Sequence, residues 1–150
     1  MSEEGTTVAE DFGHQPNCMG CGPDNPAGLG MRFRVDGERI RGTLRLDRRH
    51  EGRPGIAHGG ALAAAIDDLL GAMLTVVDRQ LSATARLVVD FRALARLHRD
   101  LDLLGWCERI DGRKVHLRGE IRDGETVIAE GRVLFVEVHN ERLARLGQPL

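Results

Sequence analysis

A chain of 150 residues, 41% hydrophobic and 29% charged, has the length and balance of one globular domain that can build its own core. A formal net charge of -2 with dispersed arginines gives no footprint for nucleic acid or a membrane surface. Three cysteines (Cys18, Cys21 and Cys107) make no secreted disulfide scaffold, and the acidic, polar start MSEEGTTVAEDF lacks the basic and apolar regions of a secretory leader, so a cytoplasmic protein is expected.

In chain order, residues 1–15 read as a flexible tail, 16–140 as a single domain, and 141–150 as a short terminal helix or tail. The segment HQPNCMGCGPDNPAGLG is rich in Gly, Pro and Asn and is predicted as loop. MRFRV and ERIRGTLRL follow as two strands, with Ile40, Leu44 and Leu46 on one face and a hairpin turn at Asp36-Gly37. A second loop, DRRHEGRPG, leads into GIAHGGALAAAIDDLLGAMLTVV, residues 55–77, which predicts the one long helix. Beyond it, ATARLVVDFRAL alternates Ala83, Ala85, Leu87, Val89 and Phe91 on one face. LDLLGWCERI and KVHLRGEIR join through Asp111–Arg113, and ETVIAEGRVLFVEV follows a turn at Asp123-Gly124. This order predicts an α+β domain, an antiparallel sheet of about six strands with one helix on a face. A single helix covers only part of such a sheet, so dimerisation is a natural way to protect the rest.

Two aspartates interrupt the apolar helix and break any membrane-spanning run. Ionised carboxylates are costly to bury without partners, so each needs a reason to be there. At 100° per residue, Leu62, Leu69, Leu70, Met73 and Val77 fall within about 60° of Ile66 and form a core stripe. Asp67 lies on the flank with Gly60, Gly71 and Leu74, whereas Asp68 lies opposite the stripe among Ala61, Ala64, Ala72 and Thr75. A face of Gly and Ala lets a ligand or another backbone approach closely. At the helix entry, AHGGA sets two glycines where free N–H groups and the positive dipole end can hold an anion or a developing oxyanion. A carboxylate further along can act as nucleophile or general base. Asp67, nine residues after His58, cannot face its own helix's N-terminus, but a twofold-related helix could bring the two together.

GIAHGGALAAAIDDLLG resembles the central-helix signature of hotdog-fold acyl-CoA thioesterases of the phenylacetate type and the human thioesterase-superfamily-member type. TARLVVDFRA is similar to the family strand that carries an active-site threonine, and RIDGRKVHLRGEI to the hairpin whose basic residues meet coenzyme A phosphates. VIAEGRVLFV matches the closing strand, and CMGCGPDNPAGLGMRF resembles the opening of bacterial relatives. The likeness runs from Cys18 to Val138. It implies a hotdog fold, an antiparallel sheet wrapped around a central helix, in a homodimer or dimer of dimers with sites at the interface. It further implies that Gly60 N–H polarises a thioester carbonyl, with His58 shaping the turn and Gly59 beside it. Asp67 of the partner would then activate water or attack directly, and Thr84 would orient the water or the acid. Arg92, Arg113 and Lys114 would meet coenzyme A phosphates, and Asp68 would be structural or solvent-facing. The stretch ALARLHR after DFR departs from the family by lacking its prolines, which puts the loop shape and acyl preference there outside the resemblance. The function implied is hydrolysis of acyl-CoA to a carboxylic acid and free coenzyme A, with no cofactor, nucleic acid or membrane partner. The alternative is a non-catalytic acyl-CoA-binding or sensing domain.

Other signals are read as structural. Cys18 and Cys21, with His14 four residues before, offer zinc too few ligands, since a fourth is not evident, and are expected to pack in a plain loop without metal. Asp111 and His116 spell the string of hotdog hydratases, but straddle a hairpin turn instead of starting the helix. His50, His98 and His139 are expected to face solvent, and Trp106 to lie in the core or a dimer interface.

Overall fold

The computed structural model describes residues 15–139, 141 and 145. The expected N-terminal tail, but for residue 15, and the expected terminal helix, but for residues 141 and 145, lie outside the described residues, as does His14. In order come β1 (Arg32–Asp36), β2 (Arg39–Leu44), a 3-10 turn (Arg48–His50), α1 (Gly59–Val76), β3 (Ser82–Phe91), β4 (Leu101–Asp111), β5 (Lys114–Asp123) and β6 (Thr126–Glu137). The strands form one sheet in the order β1-β2-β4-β5-β6-β3, antiparallel throughout. All three Asp-Gly signals become two-residue hairpins, closed by the pairs Asp36–Arg39, Asp111–Lys114 and Asp123–Thr126. Gly37, Gly112 and Gly124 take φ of 60°, 57° and 58° at the first loop position, which the sheet's twist favours and side chains resist.

The helix lies in the concave face of the sheet, the hotdog arrangement. Leu62, Ile66, Leu69, Leu70 and Met73 of the predicted stripe are buried, and Val77, one residue past the helix, is half-buried. By length and composition α1 could cross a membrane, aspartates notwithstanding. Here it is the core helix around which the sheet closes.

A row of three glycines sets how deep the helix sits. Gly105 of β4, Gly119 of β5 and Gly131 of β6 are cross-strand partners in consecutive ladders, so they line up side by side beneath α1. A Cβ at Gly105 would stand 2.9 Å from Leu70 Cδ2, one at Gly119 3.2 Å from both Leu69 and Leu70, and one at Gly131 would overlap Ile66. The missing side chains form the trough into which the helix's leucines and isoleucine fit.

On β3 the predicted alternation holds for Leu87, Val89 and Phe91 and breaks before them. A bulge between Thr84 and Arg86 leaves Ala85 out of register. Leu87 pairs with buried Val133, so it faces inward, and beyond the bulge Thr84 pairs with buried Phe135 and faces inward too. Phe91 pairs with buried Ala129 and so shares the inward face of Leu87 and Val89, although its ring is half exposed at the sheet's edge, whereas Ala83 and Ala85 are off that face and exposed. Trp106 is half-buried with Arg39 and Cys107 beside it, not in the core.

Replacing Gly131 by Ala should destabilise the fold by about 1–3 kcal/mol through overpacking against Ile66. Urea unfolding followed by far-ultraviolet circular dichroism checks this, with Gly71→Ala, at an ordinary helical φ and with nothing within 4 Å of the added Cβ, showing no such loss.

Candidate functional site

The approach to α1 is built by a strapped loop. Asp47 caps the 3-10 turn, accepting from Arg49 N–H at 3.0 Å, and the Arg49 guanidinium holds its carboxyl well below the usual carboxylate range. His50 was expected in solvent, yet its side chain is only 8% exposed. Its Nδ1 lies 3.5 Å from Asp47 N and its Nε2 3.3 Å from Ala27 O, so it ties this turn to the N-terminal loop. His98 and His139 are exposed, as expected. Backbone bonds from Ala57 N–H to Ala95 O and from His58 N–H to His50 O, both 2.8 Å, then aim the chain into the helix.

His58 is the N-cap. Its Nδ1 accepts from Gly60 N–H at 2.8 Å, while Ala61 and Leu62 N–H both donate to its carbonyl. An imidazole accepting at Nδ1 carries its proton on Nε2 when neutral. Gly60, predicted as the oxyanion donor, is therefore engaged by His58. Gly59 N–H is the first-turn donor that meets no acceptor among the described residues. Beside it stands the Phe91 ring, whose Cζ would be 3.5 Å from a Cβ at Gly59. Sequence reasoning assigned Phe91 to a core face, and nothing in the sequence placed its ring over the helix entry.

Two turns along, Thr84 Oγ1 donates to Asp67 Oδ1 at 2.9 Å. The bulge at Ala85 brings Thr84 to this face, and the exposed flank of α1 leaves Asp67 partly open. The structure thus joins two of the predicted residues. It keeps them away from His58 and Gly59, since nine residues of helix span about 13 Å.

Asp68 points elsewhere. Cys18 Sγ donates to Asp68 Oδ1 at 3.4 Å, and Cys21 Sγ lies 3.5 Å from Cys18 Sγ. Gly20 lets the loop backbone lie directly on this carboxylate, where any Cβ would overlap it. Met31 N–H to Gly20 O and Leu29 N–H to Met19 O strap the loop to the segment before β1. Burial, with Asp68 adding to it, pushes the Cys21 thiol far up. The plain loop expected around the cysteines thus includes a half-buried helix carboxylate 50 residues away in sequence.

The basic residues divide. Arg92 follows Phe91 and pairs with Glu130 at 3.1 Å. Arg113 and Lys114 are exposed at the β4–β5 hairpin, level with Val136 and Ala83 and so at the opposite end of the sheet. One protomer does not bring the three together. Asp111 and His116 lie across that same hairpin, away from the helix start.

A family model described as the thioesterase superfamily matches residues 54–130, which include the helix, the Asp67–Thr84 pair and most of the sheet. No curated protein matches the chain. Among solved structures, the thioesterase superfamily protein RHA08564 is 27% identical with a TM-score of 0.77, covering 91% of this chain and 68% of its own. A phenylacetic acid degradation-related protein of Ralstonia eutropha JMP134 is 21% identical, with a TM-score of 0.66 over 72% of this chain and 85% of its own. A hypothetical thioesterase protein of Streptococcus pneumoniae TIGR4, solved with coenzyme A, is 16% identical, with a TM-score of 0.65 over 71% and 86%. These last two share the fold.

Replacing His58 by Ala removes the acceptor for Gly60 N–H and should cost about 1 kcal/mol, whereas His58→Asn, another good N-cap, should cost less. Thermal unfolding of the two variants side by side measures the difference.

Proposed function

The chain belongs to the thioesterase superfamily, and from that premise we propose that it hydrolyses an acyl-CoA thioester to a carboxylic acid and free coenzyme A at a twofold interface. The observation that carries this reading is the placement of two half-sites at opposite ends of β3. Thr84 and Asp67 meet at one end, and the Phe91 ring stands beside Gly59 at the other. This edge strand is ten residues long and exposes Val88 and Phe91, a template for pairing with a second copy. Antiparallel pairing of two β3 strands about their centre sets each Phe91 end against the other's Thr84 end. Gly59 of one protomer then faces the partner's Asp67. Such pairing also carries the partner's Arg113 and Lys114 to the end where Arg92 stands. They are three strand spacings from it, about 14 Å, a separation suited to the phosphates of an extended cofactor-like leaving group.

In this site the thioester carbonyl oxygen accepts from Gly59 N–H at the positive end of α1, which stabilises the oxyanion as the carbonyl carbon becomes tetrahedral. Gly60 N–H becomes a second donor when His58 Nδ1 releases it. Thr84 holds Asp67 Oδ1 and leaves Oδ2 to act. Either Oδ2 takes a proton from water as the water oxygen attacks, or it attacks the carbonyl itself and water cleaves the resulting anhydride. Collapse breaks the C–S bond, and the departing thiolate takes up a proton. Coenzyme A bound to the Streptococcus pneumoniae neighbour supports the leaving group.

Thiol release from short, medium, long and aryl acyl-CoAs tests the proposal. Asp67→Asn should lower kcat by about 10²- to 10⁴-fold. Thr84→Val should lower it by about tenfold, by removing one hydrogen bond to a charged acid. Wild-type activity undiminished in Asp67→Asn, or full activity in a monomer, would overturn the mechanism. Acyl-CoA binding without any hydrolysis by the wild type would support the alternative, a non-catalytic binding domain.

A further inference from the structure

We propose that Cys18, Cys21 and Asp68 bind a zinc ion that clamps the N-terminal loop onto α1. The three side chains come from two distant parts of the chain, and their ligand atoms lie within 4.8 Å of one another. A tetrahedral zinc, with Zn–S of about 2.3 Å and Zn–O of about 2.0 Å, places two sulfurs about 3.8 Å apart and sulfur and oxygen about 3.5 Å apart. The observed separations are 3.5 Å between Cys18 and Cys21 Sγ and 3.4 Å between Cys18 Sγ and Asp68 Oδ1. Two edges of the tetrahedron thus match, and the third, from Cys21 Sγ to the Asp68 carboxylate, lies within 4.8 Å.

The donor set selects the metal class. Two sulfurs exclude the hard cations calcium and magnesium, which take oxygen ligands, and one pair of cysteines is too few for an iron–sulfur cluster. Two thiolates and a carboxylate suit zinc, with the fourth position open to water or another donor. Two glycines shape the loop for this purpose. Gly20 allows its backbone to rest against the Asp68 carboxyl, and at Gly22, which follows Cys21 and donates its N–H to Cys18 O, a Cβ would collide with Cys18 backbone atoms. All three ligands are half-buried, so the ion would be held at the loop–helix seam.

A competing account keeps the cluster metal-free, with the Cys18 thiol simply donating to Asp68 or the cysteines closing into a disulfide. The full-length protein, produced in zinc-supplemented medium and purified with a reductant but no chelator, separates the accounts. One zinc per chain by elemental analysis is expected. Exchange with Co²⁺ should give the near-ultraviolet thiolate-to-cobalt absorption of a bis-thiolate site. Cys18→Ser and Cys21→Ser should each lose it. Asp68→Asn should weaken zinc binding by at least about tenfold, the lower end of the loss known for merely outer-shell partners of a metal. Far-ultraviolet circular dichroism confirms that each variant folds. A wild-type chain that neither carries zinc nor takes up Co²⁺ under reduction overturns the site. So does a mass two hydrogens lighter in the reductant-purified wild type. Unchanged affinity in Asp68→Asn removes Asp68 from the ligand set. Metal content and absorption are read independently of thioester hydrolysis, so failure of one proposal leaves the other standing.

Discussion

The depth to which α1 sinks into the sheet governs the rest of the molecule. Gly105, Gly119 and Gly131 abut across three neighbouring strands, and the leucine and isoleucine side chains of the helix occupy the space their Cβ atoms would take. Close seating buries one stripe of the helix completely while the sheet's edges curl up around its flanks. The flanks are then half-covered, neither core nor open surface. Positions 67 and 68 fall there, one on each side. An ionised carboxylate in such a place keeps some solvent but gains fixed neighbours, which suits polar work better than a buried or a fully exposed position.

The same seating explains the edge. A sheet of six strands closing on one helix ends in β3, and nothing among the described residues covers that strand's outer rim. Natural edges are usually protected by charge, brevity or bulges. β3 is long and carries Val88 and Phe91 in the open, and its one bulge serves a different purpose. It rotates Thr84 toward the helix, where the hydroxyl meets Asp67. An irregularity that weakens a strand's pairing is thus what builds half of the candidate site.

The sequence carried the architecture well, because hydrophobic periodicity and Asp-Gly turns are local signals. Three hairpins, the helix and its core stripe all lie where periodicity and turn chemistry placed them. It carried the start of β3 poorly, since a bulge adds one residue without any compositional mark, and alternation counted through Ala85 puts Thr84 on the wrong face. The resemblance to known thioesterases pointed to Thr84 where periodicity could not. The glycine row was invisible for another reason: three glycines at positions 105, 119 and 131 become one feature only after strand register brings them abreast. His50 misled because its polar neighbours in sequence are not its neighbours in space, where Asp47 and Ala27 enclose it. Likewise Gly60 was the obvious anion donor from the motif, but a histidine immediately before two glycines can fold back and cap the helix itself, which hands the open donor to Gly59.

The paired acids show how a helix can serve two sites with consecutive residues. Side chains one position apart diverge by about 100°, so Asp67 and Asp68 cannot share a partner across one flank. Thr84 fixes the first from the sheet side, and the Cys18–Cys21 loop fixes the second from the other. Each carboxylate is oriented by a contact that the helix itself does not provide. Rotating α1 to improve one contact would pull the other away, so the two flanking groups together lock the helix about its axis. The glycine trough sets the height of the helix and the two acids set its rotation. Both constraints bear on where the N-terminal Gly59 N–H stands relative to β3, and each of the helix's two central carboxylates has a partner from outside the helix.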